Sequence, residues 1–393
     1  MDVVIVGGGP WSPDINFPIH HTARLLARSH RVLYLYRDSH TSLLGHLAGR
    51  LPGFHSRIEL LRHVAAPRRI EQVDEGLWVM PLSGVSALLP LSYPPIARVA
   101  NMHLVIRQVR RALRTLHFRD PLLWFYWWFF PEIADAIPHR LAVYDIYDDH
   151  SEYDYIRLNR RRQEYTLAQE RALLRAVDVV FAVSRSLVRS KSAGAPVHYL
   201  PNGVDTRLAD TARSAALPSE FAHIPRPIAG YLGSFDSRMS WPLVEDMAQA
   251  RPDWSFVFVG GGTTAPRAVH PNLYLLGNRP YQEALRYVNG FDLALIPFVR
   301  DALTEAICPA KLFDYLALGK PVLSTPLPAV DDIVGDSDMV YRGESLDDFL
   351  LLADRALHES ADLPERRREL ARALTWERRS ERAMEIIEEA MRA

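Results

Sequence analysis

Short apolar runs alternate with longer amphipathic stretches along most of the chain, a pattern that predicts parallel strands joined by helical crossovers. The strand candidates fall into two sets. Val3–Val6, Val32–Tyr36, Leu122–Trp127, Leu141–Ile146, Val179–Val183 and Val197–Leu200 form the first; Ile228–Leu232, Trp254–Val259, Leu273–Leu276, Leu293–Ile296, Val322–Ser324 and Met339–Tyr341 form the second. Each set ends its first strand in glycine, at Gly7-Gly8-Gly9 and at Gly233. Between the sets, Asn202-Gly203 is a turn signal, and Arg207–Arg226 is rich in Ala, Ser and Pro without a clear period, which reads as an interdomain connection. The expectation is an α/β protein of two Rossmann-like, doubly wound parallel sheets facing a central cleft. Residues 1–205 form the first domain, 206–226 the linker and 227–374 the second domain. The tail from Leu346 is helical, and residues 375–393 are expected to cross back to the first domain.

A length of 393 residues, 48% of them hydrophobic, supplies enough core for two or three domains. The net charge of −1 argues against a general nucleic-acid binder. The single cysteine, Cys308, excludes an intrachain disulfide, fits a reducing compartment and reads as a small buried residue. Met1–Val6 lacks a basic leader region, and the longest apolar run, Leu122–Phe130, falls far short of the ~20 residues that span a bilayer. A cytoplasmic protein is expected, soluble or on the inner face of the membrane. Between Arg31 and Arg119, 13 arginines against 5 acids leave a charge of +8. Arg98, Arg107, Arg110, Arg111 and Arg114 share one predicted helix there. This segment is either a solvated face or a surface drawn to anionic lipid or a phosphate-bearing acceptor. The aromatic run Leu123–Phe130 reads as core plus a partner surface, or as a platform for a sugar or lipid carrier.

Ala306–Pro326 carries the densest chemistry. It predicts a helix opened by Pro309 and closed by Gly319, followed at once by a buried strand. Lys311 falls in its first turn and Asp314 one turn further in. Free backbone N–H groups and the helix dipole favour an anion there, and Lys311 adds a full charge. A carboxylate at Asp314 can accept hydrogen bonds from a ribose diol. These parts suit a nucleoside diphosphate; the plainer alternative is an ordinary helix that begins with proline. In Gly230–Trp241, Gly233 lets the backbone approach a diphosphate and Arg238 offers bidentate contacts to phosphate. Backbone groups around Arg279–Tyr281 are placed to read a base edge, or only to connect elements.

The N-terminal Val3–Trp11 invites a dinucleotide reading, but a G-x-G-x-x-G pattern needs glycine where Ser12 stands, and Pro10, Trp11 and Pro13 crowd the turn. The loop is instead expected to touch an acceptor through Gly9, Trp11 and His20, with His20 and His21 as plain surface residues the alternative. Tyr144–Ser151 gathers Asp145, Asp148, Asp149 and His150 where a strand ends. Carboxylates at the carboxyl end of a parallel strand point into a ligand crevice. No second acidic cluster at ligand spacing accompanies them, so no metal is expected. A loop that is acidic because it is solvated is the competing reading.

In order and spacing these segments resemble the GT-B glycosyltransferases of the large nucleotide-sugar-dependent family 4. Within it they are most similar to the bacterial cell-surface polysaccharide and teichuronic-acid type, whose Asp-rich segment resembles Tyr144–Ser151. Tyr199–Asp205 is similar to the family's segment before the second domain, Gly230–Trp241 to its phosphate loop and Pro309–Pro321 to its donor-site helix. The resemblance implies that Asp314 is the second acid of the family's Glu-x7-Glu pattern, the one that binds ribose hydroxyls, and that Arg279–Tyr281 lie beside the base. Three positions depart from the pattern. Ala306 stands where the first acid belongs, with Glu305 one place off; Ser234 replaces an Arg that often follows the loop glycine; and Met239 replaces a Lys, with Arg238 one place away.

The expected function is transfer of a sugar from a nucleotide-diphosphate sugar to an acceptor hydroxyl, metal-independent and with retention. The donor is bound by Gly233, Ser234, Arg238, Arg279, Tyr281, Pro309, Lys311 and Asp314. Catalysis comes from among Asp148, Asp149 and His150, and acceptor contacts from Gly9, Trp11 and His20. No cofactor is expected beyond the donor, which carries UDP or GDP; the partner is a small-molecule, glycan or lipid-linked acceptor. Two alternatives share the architecture: a sugar-nucleotide epimerase, and an inactive sugar-nucleotide-binding partner, the latter suggested by the missing first acid. A flavin oxidoreductase is disfavoured by Ser12.

Overall fold

The computed structural model describes residues 1–11, 17–37, 69–82, 95–191 and 194–392. Ser12, Pro13 and Asp38, and much of the Arg-rich 31–119 segment, lie outside the described residues. Two sheets organise the chain. The first runs through β1 (Asp2–Gly7), β2 (Arg31–Arg37), β3 (Glu71–Asp74), β4 (Leu77–Leu82), β5 (Leu122–Phe125), β6 (Leu141–Ile146), β7 (Val179–Ala182) and β8 (Val197–Tyr199). Its order is β3-β4-β2-β1-β5-β6-β7-β8, parallel except where β3 pairs antiparallel with β4. The second holds β9 (Ile228–Leu232), β10 (Ser255–Val259), β11 (Leu273–Gly277), β12 (Leu293–Ile296), β13 (Val322–Ser324) and β14 (Tyr341–Arg342), in the parallel order β11-β10-β9-β12-β13-β14. The strand order reverses between β1 and β5 and between β9 and β12, and ligands of open parallel sheets bind at such switch points.

Three features depart from the sequence expectation. The β3–β4 hairpin is new: β3 is mostly exposed and polar, and Pro81 argues against a strand in the otherwise apolar Leu77–Leu82 run of β4. The apparent connection after residue 205 contains a helix, Thr206–Ser214, capped by Asp205, whose carboxylate accepts the Arg207 and Leu208 N–H groups at 3.0 and 3.1 Å. Its buried face is only Ala209 and Ala212, too small to show a hydrophobic period. The strand from Leu122 ends at Phe125; Trp128, Phe129 and Phe130 bury in the core, while half-buried Trp127 turns toward the cleft.

The tail forms three helices, and the last, Trp376–Arg392, packs against helix Pro18–Ala27 and β7. Its Arg379 donates to both carboxylate oxygens of Asp145, at 2.7 and 3.1 Å, and to the Pro201 carbonyl at 3.0 Å. Asp145 is completely buried. Between the two sheets, Ser184 Oγ donates to the Ala306 carbonyl at 2.5 Å and Asn202 Nδ2 to the Cys308 carbonyl at 3.0 Å. Cys308 is buried, and burial pushes its thiol up to about 12. Among the described residues no helix is long and apolar enough to cross a membrane.

Candidate functional site

A cleft of about 560 Å³ lies where the carboxyl ends of the two sheets face each other. One wall is built by the second sheet. Gly233, after β9, has a φ of +138°, and a Cβ there would sit 3.1 Å from Lys311 Cε. Gly260, after β10, has a φ of +145°, and its Cβ would lie 1.9 Å from the Gly233 carbonyl oxygen. Both turns therefore require glycine, and their close contact leaves the backbone open to the cleft. Helix Ala310–Ala317 begins beside them with Pro309 as its N-cap, and Gly319 ends it with a φ of +69°.

Lys311 rises from the first turn of that helix. Its Nζ lies 4.6 Å from the ring centres of both Tyr231 and Phe298. No carboxylate comes within ion-pair distance of it among the described residues, and burial, aided by the Arg238 charge, lowers its pKa to about 7. Arg238 instead holds Asp236, through Nε at 2.9 Å and Nη2 at 2.5 Å, and its Nη1 stands 3.9 Å from Asp148 across the cleft. Burial opposes the Arg238 charge, but the Asp236 bonds and the Asp148 charge outweigh it and raise its pKa. Asp314 lines the cleft one turn beyond Lys311, and the Tyr281 hydroxyl donates to its Oδ1 at 2.5 Å. Burial lifts the Asp314 carboxyl to about 7 even so. Ser234 lines the cleft, and its carbonyl accepts from Tyr231 OH at 2.8 Å. Arg279 also reaches the cleft, but its guanidinium donates to the Tyr287 hydroxyl at 3.1 Å and to Glu220 at 3.4 Å. All the proposed donor residues thus meet on one wall. Glu305 is exposed and absent from the lining, and Ala306 is buried.

The opposite wall divides the residues that the sequence grouped. Asp148 lines the cleft, only 6% exposed. The Tyr153 hydroxyl donates to its Oδ2, while its Oδ1 is buried without a protein partner. Burial raises its pKa to about 6, against the pull of Arg238 and the Tyr153 bond. Asp149 does not line the cleft: Lys191 Nζ lies 3.2 Å from it and 2.7 Å from Glu170, a buried cluster beneath the loop. Burial opposes the Asp149 charge, but Lys191 and Ser151 overcome it and lower the pKa. His150 is buried behind Tyr147, its Nε2 3.1 Å from the Tyr147 hydroxyl, and burial lowers its pKa to about 3, so it stays neutral. Asp145 belongs to the Arg379 pair.

The reading of His20 and His21 as surface residues does not hold. His20 is 1% exposed, and His21 stacks on Trp376 at 4.5 Å with a pKa lowered to about 3, mainly by burial. Gly9 and His20 line a smaller cavity next to the cleft, whereas Trp11 packs edge-on against His20 at 5.0 Å and lines neither. The cleft also exposes Trp127, from the aromatic run that the sequence offered as a sugar or lipid platform, and Tyr147 and Tyr153, for which the sequence suggested no role. The signal for the two tyrosines was position: they follow β6, the neighbour of β5 at the first switch point. Among the described residues no three His, Cys, Asp or Glu side chains gather as a metal site.

Comparison with known proteins places this geometry. Residues 226–358 match the family model described as glycosyl transferases group 1. The Bacillus subtilis (strain 168) protein TuaH, named as a teichuronic acid biosynthesis glycosyltransferase, is 27% identical over 191 residues. That match covers 46% of this chain and 48% of TuaH, about half of each. Among solved structures, an E. coli trehalose-6-phosphate protein bound with UDP-2-fluoro glucose superposes with a TM-score of 0.67 at 10% identity, over 100% of this chain and 99% of the other. A sucrose-phosphate synthase from Thermosynechococcus elongatus superposes with a TM-score of 0.69 at 15% identity, over 99% and 98% of the two chains. The architecture is the two-domain, parallel-sheet GT-B fold.

Proposed function

We propose that the protein is a glycosyltransferase that moves a sugar from a nucleoside-diphosphate sugar to an acceptor hydroxyl. The observation that carries the reading is the pairing of Lys311, at the start of helix Ala310–Ala317, with the Gly233 turn it touches, Asp314 lying one turn deeper. A diphosphate at the turn meets Lys311 and the helix N-terminus, and Arg238 is close enough to swing from Asp236 toward it. Asp314 accepts from the ribose, sharing or releasing Tyr281. Breaking the bond between the sugar and the diphosphate places charge on the leaving oxygen, which these preorganised groups stabilise. Proteins of this fold bind UDP-sugar analogues, as the E. coli relative does, and UDP or GDP is the donor base proposed for this chain.

The proposed transfer needs no metal, and its proposed outcome is retention. Asp148, on the first-domain wall, is engaged by the Tyr153 hydroxyl and stands 3.9 Å from Arg238, the cation that would meet the diphosphate, so it is not free to act as a base. A base for inversion belongs on the opposite face of the sugar. In retention the leaving phosphate oxygen itself takes the acceptor proton, and Asp148 orients Arg238 and the incoming hydroxyl. Family 4 membership, a role in cell-surface polysaccharide assembly and a cytoplasmic site at the inner membrane face complete the proposal. The exposed Arg107, Arg110, Arg111 and Arg114 are the described residues that would meet anionic lipid.

One observation favours a second reading. Ala306 is buried with its carbonyl bound by Ser184, and Glu305 points elsewhere, so the first acid of the family's pair is missing from the wall. A chain that binds sugar nucleotide without turning it over fits that loss. A thermal-shift screen against UDP, GDP and their common sugar conjugates, followed by release of free diphosphate, separates the readings. The expected result is a rise in Tm with one diphosphate by mass action, worth about 2.7 kcal/mol at a hundred times Kd, and slow release of diphosphate from its sugar conjugate. A shift without release supports the inactive partner; no shift with any nucleotide overturns both.

A further inference from the structure

Lys311 is held by rings and not by an acid. Tyr231 of β9 and Phe298, two residues past β12, are 1% and 3% exposed. Their ring centres stand 6.5 Å apart with the planes at 62°, and Lys311 Nζ lies 4.6 Å from each, in the wedge between them. The Gly233 turn closes a third side: a Cβ there would sit 3.3 Å from Nζ and 3.4 Å from the Tyr231 hydroxyl oxygen. Both rings are fixed from behind. Tyr231 stacks on Phe258 with centres 5.6 Å apart, and its hydroxyl donates to the Ser234 carbonyl at 2.8 Å. Phe298 sits in a loop joined to the Arg238 loop, where the Ser240 N–H donates to the Pro297 carbonyl and the Val299 N–H to the Arg238 carbonyl, both at 2.8 Å. Lys311, Phe298 and Gly233 all line the cleft, so the open side of the ammonium faces it.

We propose that Tyr231 and Phe298 are positioning residues for the donor diphosphate: their ring faces hold the Lys311 ammonium at the Gly233 turn in place of a carboxylate. This rests on the transferase function proposed above and adds two residues to its donor site. An ammonium within about 6 Å of an aromatic ring centre is attracted by the ring's quadrupole, more strongly where water is excluded. The rings take up no strong hydrogen bond, so the three N–H donors of the lysine stay available to phosphate oxygens. A carboxylate at ion-pair distance would instead cancel the charge, and the phosphate would have to displace it. Asp236 and Asp314 act on Lys311 only as more distant acids, and Arg238 opposes its charge. Asp148, across the cleft, stands by Arg238, and burial keeps the Tyr231 hydroxyl neutral. Burial first and Arg238 second lower the lysine's pKa to about 7, so near neutral pH the site depends on whatever still favours the charged form. The two rings do so, because they attract the ammonium and not the neutral amine.

Fluorine on the ring weakens its quadrupole while nearly keeping its shape, so the fold is not at stake. The full-length protein is prepared with 4-fluorophenylalanine and with 3,4,5-trifluorophenylalanine in place of Phe298, each with Lys311 intact and with Lys311→Met. Calorimetric titration with UDP and with GDP follows at pH 6 and pH 8. At pH 8 the affinity for the nucleotide that binds should fall in the order of fluorination, by about three- to tenfold for the trifluoro ring. At pH 6 the change should stay within twofold, because the ammonium is already charged there when the nucleotide arrives. In Lys311→Met, fluorination should change affinity by less than twofold at either pH, since the ring and the lysine act as a pair. A fall of equal size at pH 6 and pH 8, or one that persists without the lysine, would make Phe298 a packing residue and overturn the inference. Affinity that ignores fluorination overturns it too. Each of these results leaves the transferase reading standing, because a nucleotide still binds. Binding of neither UDP nor GDP removes that reading, and the positioning role with it.

Discussion

The two walls of the cleft come from equivalent places in the two sheets, the loops at their switch points, yet they differ in chemistry. The second-domain wall is specified by charge and by backbone: two glycine turns in contact, one lysine with no carboxylate at ion-pair distance among the described residues, and an arginine held at the edge by Asp236. The first-domain wall is specified by rings: among the described residues, Trp127, Tyr147 and Tyr153 surround one carboxylate, Asp148. The other charges of that region have been drawn inward, Asp145 to Arg379 and Asp149 to Lys191. A diphosphate is the same group in every donor and can be met by a fixed set of charges. An acceptor differs from one protein to the next and is met by shape. The family match agrees with this division, since it covers residues 226–358 and so the charged wall alone.

The largest effect separates structural from functional charge on the ring wall. Arg379→Ala leaves Asp145 buried without its cation, a loss of about 3–5 kcal/mol for breaking one side of such a pair. Thermal melting should fall by many degrees, and any folded fraction should keep its nucleotide affinity. On the charged wall, Lys311→Ala should lower kcat by roughly 10²–10³-fold, the usual cost of losing one preorganised charge stabiliser, with Tm unchanged or raised because a buried cation has gone. A kcat within threefold of the original would remove Lys311 from the reaction. A smaller contrast lies within the acidic loop. Asp148→Asn should cut turnover by about ten- to a hundredfold without changing nucleotide affinity. Asp149→Asn should leave turnover per folded molecule intact and lower stability by about 1–3 kcal/mol, because the buried Lys191 loses one of its two carboxylates. The reverse pattern would make Asp149 the functional acid.

The walls also differ in how much of them the sequence revealed. Buried parallel strands are apolar along their length, so most strands stood out as runs; β3 did not because it is an exposed, polar edge, and β4 did not because Pro81 interrupts its apolar run. The charged wall was legible because its chemistry is local: glycine after a strand, then lysine and aspartate on one helix. The ring wall was not, because what decides each charge there is a distant partner. Asp145 meets Arg379, 234 positions later, and Asp149 meets Lys191 on a separate element. Nothing in Tyr144–Ser151 distinguishes the aspartate that faces the cleft from the two that do not.

The smallest expected effect is the sharpest test of the charged wall, because its sign is fixed in advance. Lys311 has a pKa of about 7 in the empty site, lowered chiefly by burial and next by Arg238, and a bound diphosphate must raise it. Below pH 7 the lysine is already charged when the nucleotide arrives. Above pH 7 a proton must be taken up on binding, so affinity should fall by up to about tenfold per unit, or about 1.4 kcal/mol. Asp314, raised to about 7 by its own burial, loses its proton over the same range and makes the wall more negative, which acts in the same direction on the diphosphate. Arg238 holds the Asp236 carboxyl below its usual range against the effect of burial, so it is charged throughout this range. Calorimetry of UDP binding at pH 8, in two buffers of different ionisation enthalpy, should show uptake of close to one proton. Lys311→Met should remove the larger part of the uptake and leave only the weaker dependence that Asp314 supplies, while Asp314→Asn should leave the lysine's share in place. Affinity that rises with pH in the unaltered protein would mean that the group titrating beside the diphosphate is not this lysine, and the division between a charged wall and a ring wall would have to be redrawn around another cation.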